Sequence, residues 1–427
     1  MLSPQTFIIV LDGAADRPIA RLKGDTPLGA ATTPHLNQLA SESRMCSAEV
    51  IGKGFWPESD SGAMALLGYD PKTYYTGRGP LEGLGAGLIR NDGRSIAFRA
   101  NFGSFDEAAN RLDRRTARGL SDLELQDLTE EVRNGVSLRD FGAFDFEIVS
   151  FSRHRAILGF SSEHFELGGR VTNTDPGFES VGYFGRPVSP YEPRPSVCVA
   201  QSLDDDAARL SAELVNAFVE RSGDVLRRSD VNRDRVRRGQ LPANVLLIRD
   251  GGDPPVALPQ FEQRFGRSLA MFGQIFAERG LASLIGASFD FSRLQDGEDE
   301  AEYLNRAAHE FLTTGADVTF CHLKGPDEPG HDNDPDAKVR AIEAIDAHFV
   351  GRVLETLDAS ANVVVCCDHS TPCELGIHSD DPVPIMVRQA SSASDGLQRF
   401  SESCAAMGTL PVRRACELLP FLFDVRE

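Results

Sequence analysis

The run Phe7-Ile8-Ile9-Val10-Leu11 ends in Asp12-Gly13, and that junction constrains the fold more than any other stretch. Five consecutive apolar residues, two of them isoleucines, read as a strand buried on both faces, the environment of a parallel sheet. In open α/β sheets ligands bind beyond the carboxyl ends of the strands, and a glycine there lets the backbone bend tightly around them. Asp12 is therefore expected to be a metal ligand, with later segments closing the same site around it.

Two further buried strands have acids and histidines directly after them. Val318–Leu323 leads into Lys324-Gly325-Pro326-Asp327-Glu328-Pro329-Gly330-His331, and Asn362–Cys367 leads into Asp368-His369-Ser370-Thr371-Pro372, with His378 nine residues beyond His369. Pro329 and Gly330 argue against a regular helix between Asp327 and His331, so a loop that folds both side chains onto one ion is expected. Asp12, Asp327 and Asp368 with His331, His369 and His378 form an oxygen and nitrogen ligand set without a thiolate. Such a set suits manganese, zinc or magnesium. Together with Ser59 it exceeds what one ion needs, so two divalent ions are implied, an arrangement that clamps a phosphoryl group during in-line displacement.

Ser59 precedes Gly62–Leu67, whose small and apolar residues suit a short buried helix, and helix N-termini attract phosphate. A metal-bound hydroxyl loses its proton far more readily than a free one, which makes Ser59 the candidate nucleophile, with Ser61 next in line. Singly, each residue has an ordinary explanation: Asp12 as a turn cap, His331 on a backbone carbonyl, Ser59 as a helix cap. Their shared position after strands is what argues for chemistry. His35, His164, His309 and His348 lack such company and read as structural or surface residues, and His322, inside a strand, reads as a core histidine.

At 427 residues the chain is long enough for two domains. The opening reads strand, loop, helix, with Thr33 capping the helix that starts at Pro34. Thr76-Gly77-Arg78-Gly79-Pro80 is a glycine-rich turn that looks like a boundary, and the texture stays different until Pro259. Between them lie strands over Ile96–Phe102 and His154–Phe160, helices over Leu120–Val132 and Asp205–Arg221, and a basic patch, Arg227–Arg238, expected to be a solvated helix face. From Phe261 the α/β rhythm resumes, with helices predicted over Glu300–Thr313 and Asp336–Leu357. The expected class is α/β, a mostly parallel sheet flanked by helices in a discontinuous domain of residues 1–76 and 260–427, with a smaller α+β domain inserted over 77–259.

The net charge of −20 argues against general binding of nucleic acid or anionic membrane, while leaving room for a small anionic substrate in a locally positive pocket. Eight scattered cysteines with no paired zinc spacing read as buried thiols. No apolar run approaches the roughly 20 residues of a membrane span, and no signal-peptide pattern precedes the first strand, so a cytoplasmic location is expected. The sequence leaves a homo-oligomer open.

These residues resemble the cofactor-independent phosphoglycerate mutases of the archaeal type, in the alkaline phosphatase superfamily. The resemblance is carried by Leu11-Asp12-Gly13 with Asp16-Arg17-Pro18, by Ser59-Asp60 ahead of Leu67-Gly68-Tyr69-Asp70-Pro71, and by Tyr75-Thr76-Gly77-Arg78-Gly79-Pro80-Leu81-Glu82. It continues through Phe98-Arg99-Ala100-Asn101-Phe102, Asp113-Arg114-Arg115, His154-Arg155, Thr174-Asp175-Pro176 and Leu241-Pro242-Ala243-Asn244. It ends in the Asp327–Asp332 and Asp368–Pro372 segments and in His378-Ser379 with Asp381-Pro382-Val383-Pro384.

The resemblance implies one ion held by Asp327, His331 and His378, and a second held by Asp12, Ser59, Asp368 and His369. It implies an alkaline-phosphatase-like fold and transfer of the phosphoryl group of 3-phosphoglycerate to Ser59 and back to the other hydroxyl of a glycerate that turns over in place. Catalytic roles fall to Ser59, Asp175 and Lys324, with Asp175 moving protons. Arg78, His154, Arg114 and Arg115 become candidates for holding phosphate and carboxylate, Arg78 and His154 together with Lys324. The family pattern is broken at Glu58, where glycine is usual, at Asn173, where aspartate is usual, and around Ser268, where a lysine is usual. A phosphohydrolase or phosphotransferase of the same superfamily, acting on another small phosphorylated hydroxy acid or a phosphonate, is the alternative. A binding module on an old enzyme scaffold is a third reading, disfavoured by the complete ligand set.

Overall fold

The apolar run that opens the chain lies at the centre of a seven-stranded sheet. Residues 4–90, 92–114, 119–390 and 392–425 are described by a computed structural model, and the chain divides into two units, Met1–Tyr74 with Ala257–Glu427, and Tyr75–Val256.

In the first unit, strand Thr6–Leu11 pairs in parallel with Val318–Leu323 on one side and Asn362–Cys366 on the other. Every residue of these three strands is buried, which is why they read as nearly unbroken apolar runs. Leu269–Gly273 and then Ser288–Phe291 extend the sheet in parallel beyond Val318–Leu323. On the opposite side Val383–Arg388 runs antiparallel to both Asn362–Cys366 and the edge strand Arg44–Ala48. The register aligns Leu11 with Leu323 and Val10 with Cys366. Asp12, Lys324 and Asp368 therefore leave the sheet at one edge, and the Asp12 amide donates to the Leu323 carbonyl at 3.0 Å.

Helix Glu300–Leu312 starts where a reciprocal cap allows it: the Glu302 amide donates to Asp299 Oδ1 at 2.8 Å, and the Asp299 amide to Glu302 Oε2 at 3.0 Å. Two expectations are corrected in this unit. The stretch expected to form one helix over Asp336–Leu357 is Pro335–Ile345, a wider π turn over Asp346–Val350, and Gly351–Thr356. Helix Pro34–Ser41 is capped from that turn: Asp346 accepts from the amides of His35 and Leu36 at 3.2 and 2.7 Å, and the Thr33 side chain makes no cap bond. Burial in strand Asn362–Cys366 pushes the Cys366 thiol well up from its ordinary range.

The second unit is an antiparallel sheet with helices packed on it. Ser95–Asp106 pairs with Arg111–Asp113, Arg155–Ser162 and Val245–Arg249, and Phe144–Ser152 lies beyond Arg155–Ser162. Helix Asp122–Gly135 places Leu125, Leu128 and Val132 in the core, and helix Asp206–Arg228 adds Leu214, Val215 and Phe218, against Phe98, Phe102 and Phe160 of the sheet. Arg78 is not in a turn: it opens helix Arg78–Ala86, with Gly77 at φ +117° supplying the bend before it. Pro80 falls in the first helical turn, where a missing N–H costs nothing. The basic patch also needs correction, because Arg235 is buried, pairing with Glu124 at 2.9 Å and donating to the Leu241 carbonyl.

Candidate active site

Six of the expected ligands form two clusters at the carboxyl edge of the parallel sheet. In Asp327, His331 and His378, and again in Asp12, Asp368 and His369, the candidate ligand atoms lie within 4.8 Å of one another. Asp327 and His331 reach a common point differently from the expected loop. They are the first and last residues of a short helix, Asp327–His331, whose i, i+4 spacing puts His331 Nε2 3.4 Å from Asp327 Oδ2. Pro329 is tolerated because it lies in the first turn, where its absent N–H has no partner to lose.

Each imidazole is aimed by its other nitrogen. His331 Nδ1 is held by the Gly376 carbonyl at 2.9 Å and His378 Nδ1 by the Pro57 carbonyl at 2.8 Å, which turns the two Nε2 atoms to within 3.2 Å of each other. His369 Nδ1 lies 3.0 Å from Thr371 Oγ1, and that hydroxyl donates to Asp327 Oδ1 at 2.8 Å, so one threonine ties the two clusters together. The His369 and His378 rings stack with centroids 3.8 Å apart. Gly13 makes the closeness possible: with φ at +57°, a Cβ there would stand 2.6 Å from Asp327 Oδ1.

The donor set fits divalent cations. Asp368 Oδ2 and His369 Nε2 are 3.2 Å apart and buried, yet neither has a hydrogen-bond partner. Buried polar atoms without partners are rare, and converging lone pairs of this kind are what a shared cation satisfies. Burial opposes ionisation of Asp327, but His331 and His378 outweigh it and hold its carboxyl well below the ordinary range.

Ser59 is the first residue of helix Ser59–Leu66, and its hydroxyl lies 3.4 Å from Asp12 Oδ1. Lys324, directly after its strand, donates from Nζ to Ser59 Oγ at 2.9 Å and lies 2.5 Å from Asp12 Oδ2. Burial favours the neutral amine, yet Asp12 and Glu278 overcome it and raise the lysine above its ordinary range, so an ammonium faces the serine. Gly62 lets this helix approach, since a Cβ there would meet the Asp368 carbonyl at 2.5 Å. Ser61, the second choice from sequence, is engaged elsewhere: its hydroxyl accepts from the Glu58 amide and donates to the Glu58 carbonyl, both at 3.0 Å.

Sequence reasoning missed two residues here. His322 is not packed in apolar surroundings: its Nε2 lies 3.1 Å from Asp368 Oδ2 and 3.7 Å from Asp12 Oδ1, and its Nδ1 contacts Glu278. A polar residue next to the carboxyl end of a buried strand was the available signal. Glu278, on helix Phe276–Ile285, had none.

The second unit holds the remaining candidates. Arg78 and Arg99 both pair with the fully buried Glu82, the former at 2.9 Å. Burial lowers Arg99 to about 9, with Glu82 opposing and Arg78, Arg249 and Arg155 adding to the shift. Asp175 is paired through both oxygens with Arg114, one contact at 2.7 Å, and accepts from the Gly177 amide. The guanidinium groups of Arg114 and Arg249 lie 5.0 and 4.1 Å from the Phe178 ring centroid. Arg99 and Arg249 were not singled out from sequence, although an arginine in an otherwise apolar strand was a visible sign. His154 is half-buried, its carbonyl accepting from the Phe102 amide at 2.8 Å. Arg115 lies outside the described residues.

A family model described as 2,3-bisphosphoglycerate-independent phosphoglycerate mutase matches residues 40–232. A protein of that name from Aeropyrum pernix is 37% identical over 410 residues, covering 94% of each chain. This chain belongs to that family. A second member, from Methanopyrus kandleri, is 35% identical over 432 residues, 100% of this chain and 97% of its own. Among solved structures, a Pyrococcus horikoshii protein matches with a TM-score of 0.76 at 26% identity, over 99% of this chain and 97% of its own. The cofactor-independent phosphoglycerate mutase of Thermoplasma acidophilum matches at 0.61 and 28% identity over 99% of both chains.

For a phosphoglycerate mutase, the departures from the expected pattern have local explanations. Asn173 Nδ2 donates to the Phe178 carbonyl at 3.0 Å while its Oδ1 accepts from the Asp250 amide at 3.1 Å. An ionised aspartate cannot donate, so the amide suits this position. Ser268 closes a reciprocal turn with Asp317, hydroxyl to carboxylate at 2.7 Å and Asp317 amide to hydroxyl at 3.0 Å. Glu58 immediately precedes the helix of Ser59 and meets the Ser61 hydroxyl through its backbone. Among the described residues, no helix is long and apolar enough to cross a membrane.

Proposed function

We propose that this protein interconverts 3-phosphoglycerate and 2-phosphoglycerate through a phosphoserine at Ser59. The observation that carries the reading is the position of Ser59 Oγ, hydrogen-bonded by Lys324 at 2.9 Å and next to Asp12 of one ligand cluster. Family membership supplies the substrate class, a small phosphorylated carboxylate.

Asp327, His331 and His378 would hold one divalent ion, and Asp12, Asp368 and His369, with Ser59, a second. Bound there, manganese or zinc would withdraw charge from phosphoryl oxygens and make the serine hydroxyl more acidic. The chain's own groups do the rest. Lys324 fixes Ser59 Oγ in one orientation and offsets the negative charge of Asp12 and of an arriving phosphoryl group. The O–P bond to glycerate breaks as the Ser59 O–P bond forms, and the proton that the Ser59 hydroxyl gives up balances the one that the released glycerate oxygen takes. Return transfer to the other hydroxyl reverses both changes.

In the second unit, Arg78, Arg99, Arg114 and Arg249 form a guanidinium-rich region suited to the carboxylate of glycerate; the contacts expected from sequence are Arg78, His154, Arg114 and Arg115, the last of which lies outside the described residues. Asp175 would move protons for the turning glycerate once a substrate anion takes over part of its pairing with Arg114.

A coupled assay of manganese-loaded protein on 3-phosphoglycerate tests the reading. Accumulation of 2-phosphoglycerate supports it. Release of inorganic phosphate without the isomer would move the assignment to a phosphohydrolase, the outcome expected when water reaches the phosphoserine.

A further inference from the structure

His331, His369 and His378 share one arrangement: Nδ1 is fixed by an oxygen outside the cluster, and Nε2 turns inward. A fourth imidazole has the same arrangement. His322 stands one residue before the end of strand Val318–Leu323, its Nδ1 is held by Glu278, and its Nε2 faces Asp368 and Asp12. We propose that His322 is a further ligand of the ion held by Asp12, Asp368 and His369, with Glu278 as the positioning carboxylate. The proposal rests on the reading that this cluster holds an ion.

The oxygen that holds His322 is the firmest of the four. Glu278 is fully buried, and its Oε2 accepts from the amides of Gln274 at 2.8 Å and Ile275 at 3.0 Å, leaving Oε1 for the imidazole. A carboxylate so anchored fixes the ring through Nδ1 and aims Nε2 at the cluster, the relationship seen in carboxylate–histidine–metal triads.

Nε2 is aimed at two carboxylates of the cluster, Asp368 Oδ2 at 3.1 Å and Asp12 Oδ1 at 3.7 Å. His322 Nε2 is buried and has no hydrogen-bond partner, and the same is true of Asp368 Oδ2, 3.1 Å away, and of His369 Nε2. His322 Nε2 converges with His369 Nε2 on the same carboxylate oxygen, Asp368 Oδ2, at 3.1 and 3.2 Å, the position of a further ligand on that side of the cluster. A histidine serving only as core packing would have its second nitrogen turned away from the ligand carboxylates.

The test uses the full-length protein, stripped with a chelator and reloaded with cobalt(II). Metal per chain is read by mass spectrometry, ligation by the visible absorption of bound cobalt, and folding by circular dichroism, for the parent, Asp368→Asn, His322→Gln and Glu278→Gln. His322→Gln should weaken one of the two sites by about ten- to a hundred-fold and change its cobalt spectrum, with Glu278→Gln moving the same site less. In the parent itself, proton NMR should show hyperfine-shifted, exchangeable ring N–H signals from four histidines rather than three, a readout that needs no variant to fold. Loss of one ion in Asp368→Asn, together with unchanged affinity and spectrum in His322→Gln, overturns the His322 assignment and leaves the site standing. A count of three ring signals in the parent overturns it as well. A parent that takes up no cobalt overturns both the assignment and the site.

Discussion

Lys324 Nζ donates to Ser59 Oγ at 2.9 Å while lying 2.5 Å from Asp12 Oδ2. The lysine thus joins the hydroxyl to an adjacent ligand carboxylate, and both contacts depend on a charge that Asp12 and Glu278 sustain against burial. Removing the charge while keeping the stem should leave the clusters in place. Lys324→Met is expected to retain metal content and to lower kcat by about 100- to 1000-fold, in the range found when one preorganised donor is lost. Steady-state kinetics beside metal analysis separates this from loss of the ions.

Ser59 and Ser61 are two residues apart and differ in what their hydroxyls touch. Ser59 faces Lys324 and Asp12, whereas Ser61 is tied to the Glu58 backbone. Ser59→Ala should keep the fold and metal content and abolish transfer, with no labelled phosphoryl group on the protein after acid quench. Ser61→Ala should lose about 1 kcal/mol of stability through the helix start and keep most turnover. Substantial turnover in Ser59→Ala would transfer the nucleophile's role to another residue.

Gly13 separates two requirements that coincide at one position. Its φ of +57° disfavours any side chain, and an added Cβ would press on Asp327 Oδ1 at 2.6 Å and Thr371 Oγ1 at 2.7 Å. Gly13→Ala should therefore cost about 1–2 kcal/mol from backbone conformation alone. It should also weaken the Asp327, His331 and His378 site more than the other, because Asp327 must shift. Thermal denaturation in chelator reads the first effect, and metal titration the second.

Much of this was legible because buried parallel strands leave unbroken apolar runs, and a polar residue just past such a run has few places to go. Asp12, Asp368 and His369 were visible for that reason. The helical turn of Asp327–His331 was obscured by Pro329, whose effect depends on which turn it occupies, and that is fixed only once the helix start is known. Glu278 gave no signal, since its role comes from backbone amides of Gln274 and Ile275 and from a strand distant in sequence. Asn173 looked like a departure because its partners, the Phe178 carbonyl and the Asp250 amide, belong to segments that spacing cannot join.

Lys338 shows how the loop after Asp12 is held. It is fully buried on helix Pro335–Ile345, pairs with Asp16 Oδ2 at 2.9 Å, and donates to the carbonyls of Thr371 at 2.9 Å and Ala15 at 3.3 Å. Asp16 also accepts from the Cys373 amide. One ammonium therefore fastens the segment after Asp12 to the segment after His369, the two that carry most of one ligand cluster. Lys338→Met would fill the space but leave Asp16 buried without its cation, and breaking such a pair costs about 3–5 kcal/mol. Replacing both partners, as Asp16→Asn with Lys338→Met, should recover part of that loss because no unpaired charge remains. Denaturant unfolding of Lys338→Met, Asp16→Asn and the double variant reads the coupling. Equal stability of Lys338→Met and the parent would mean that Asp16 is held by its amide contacts alone.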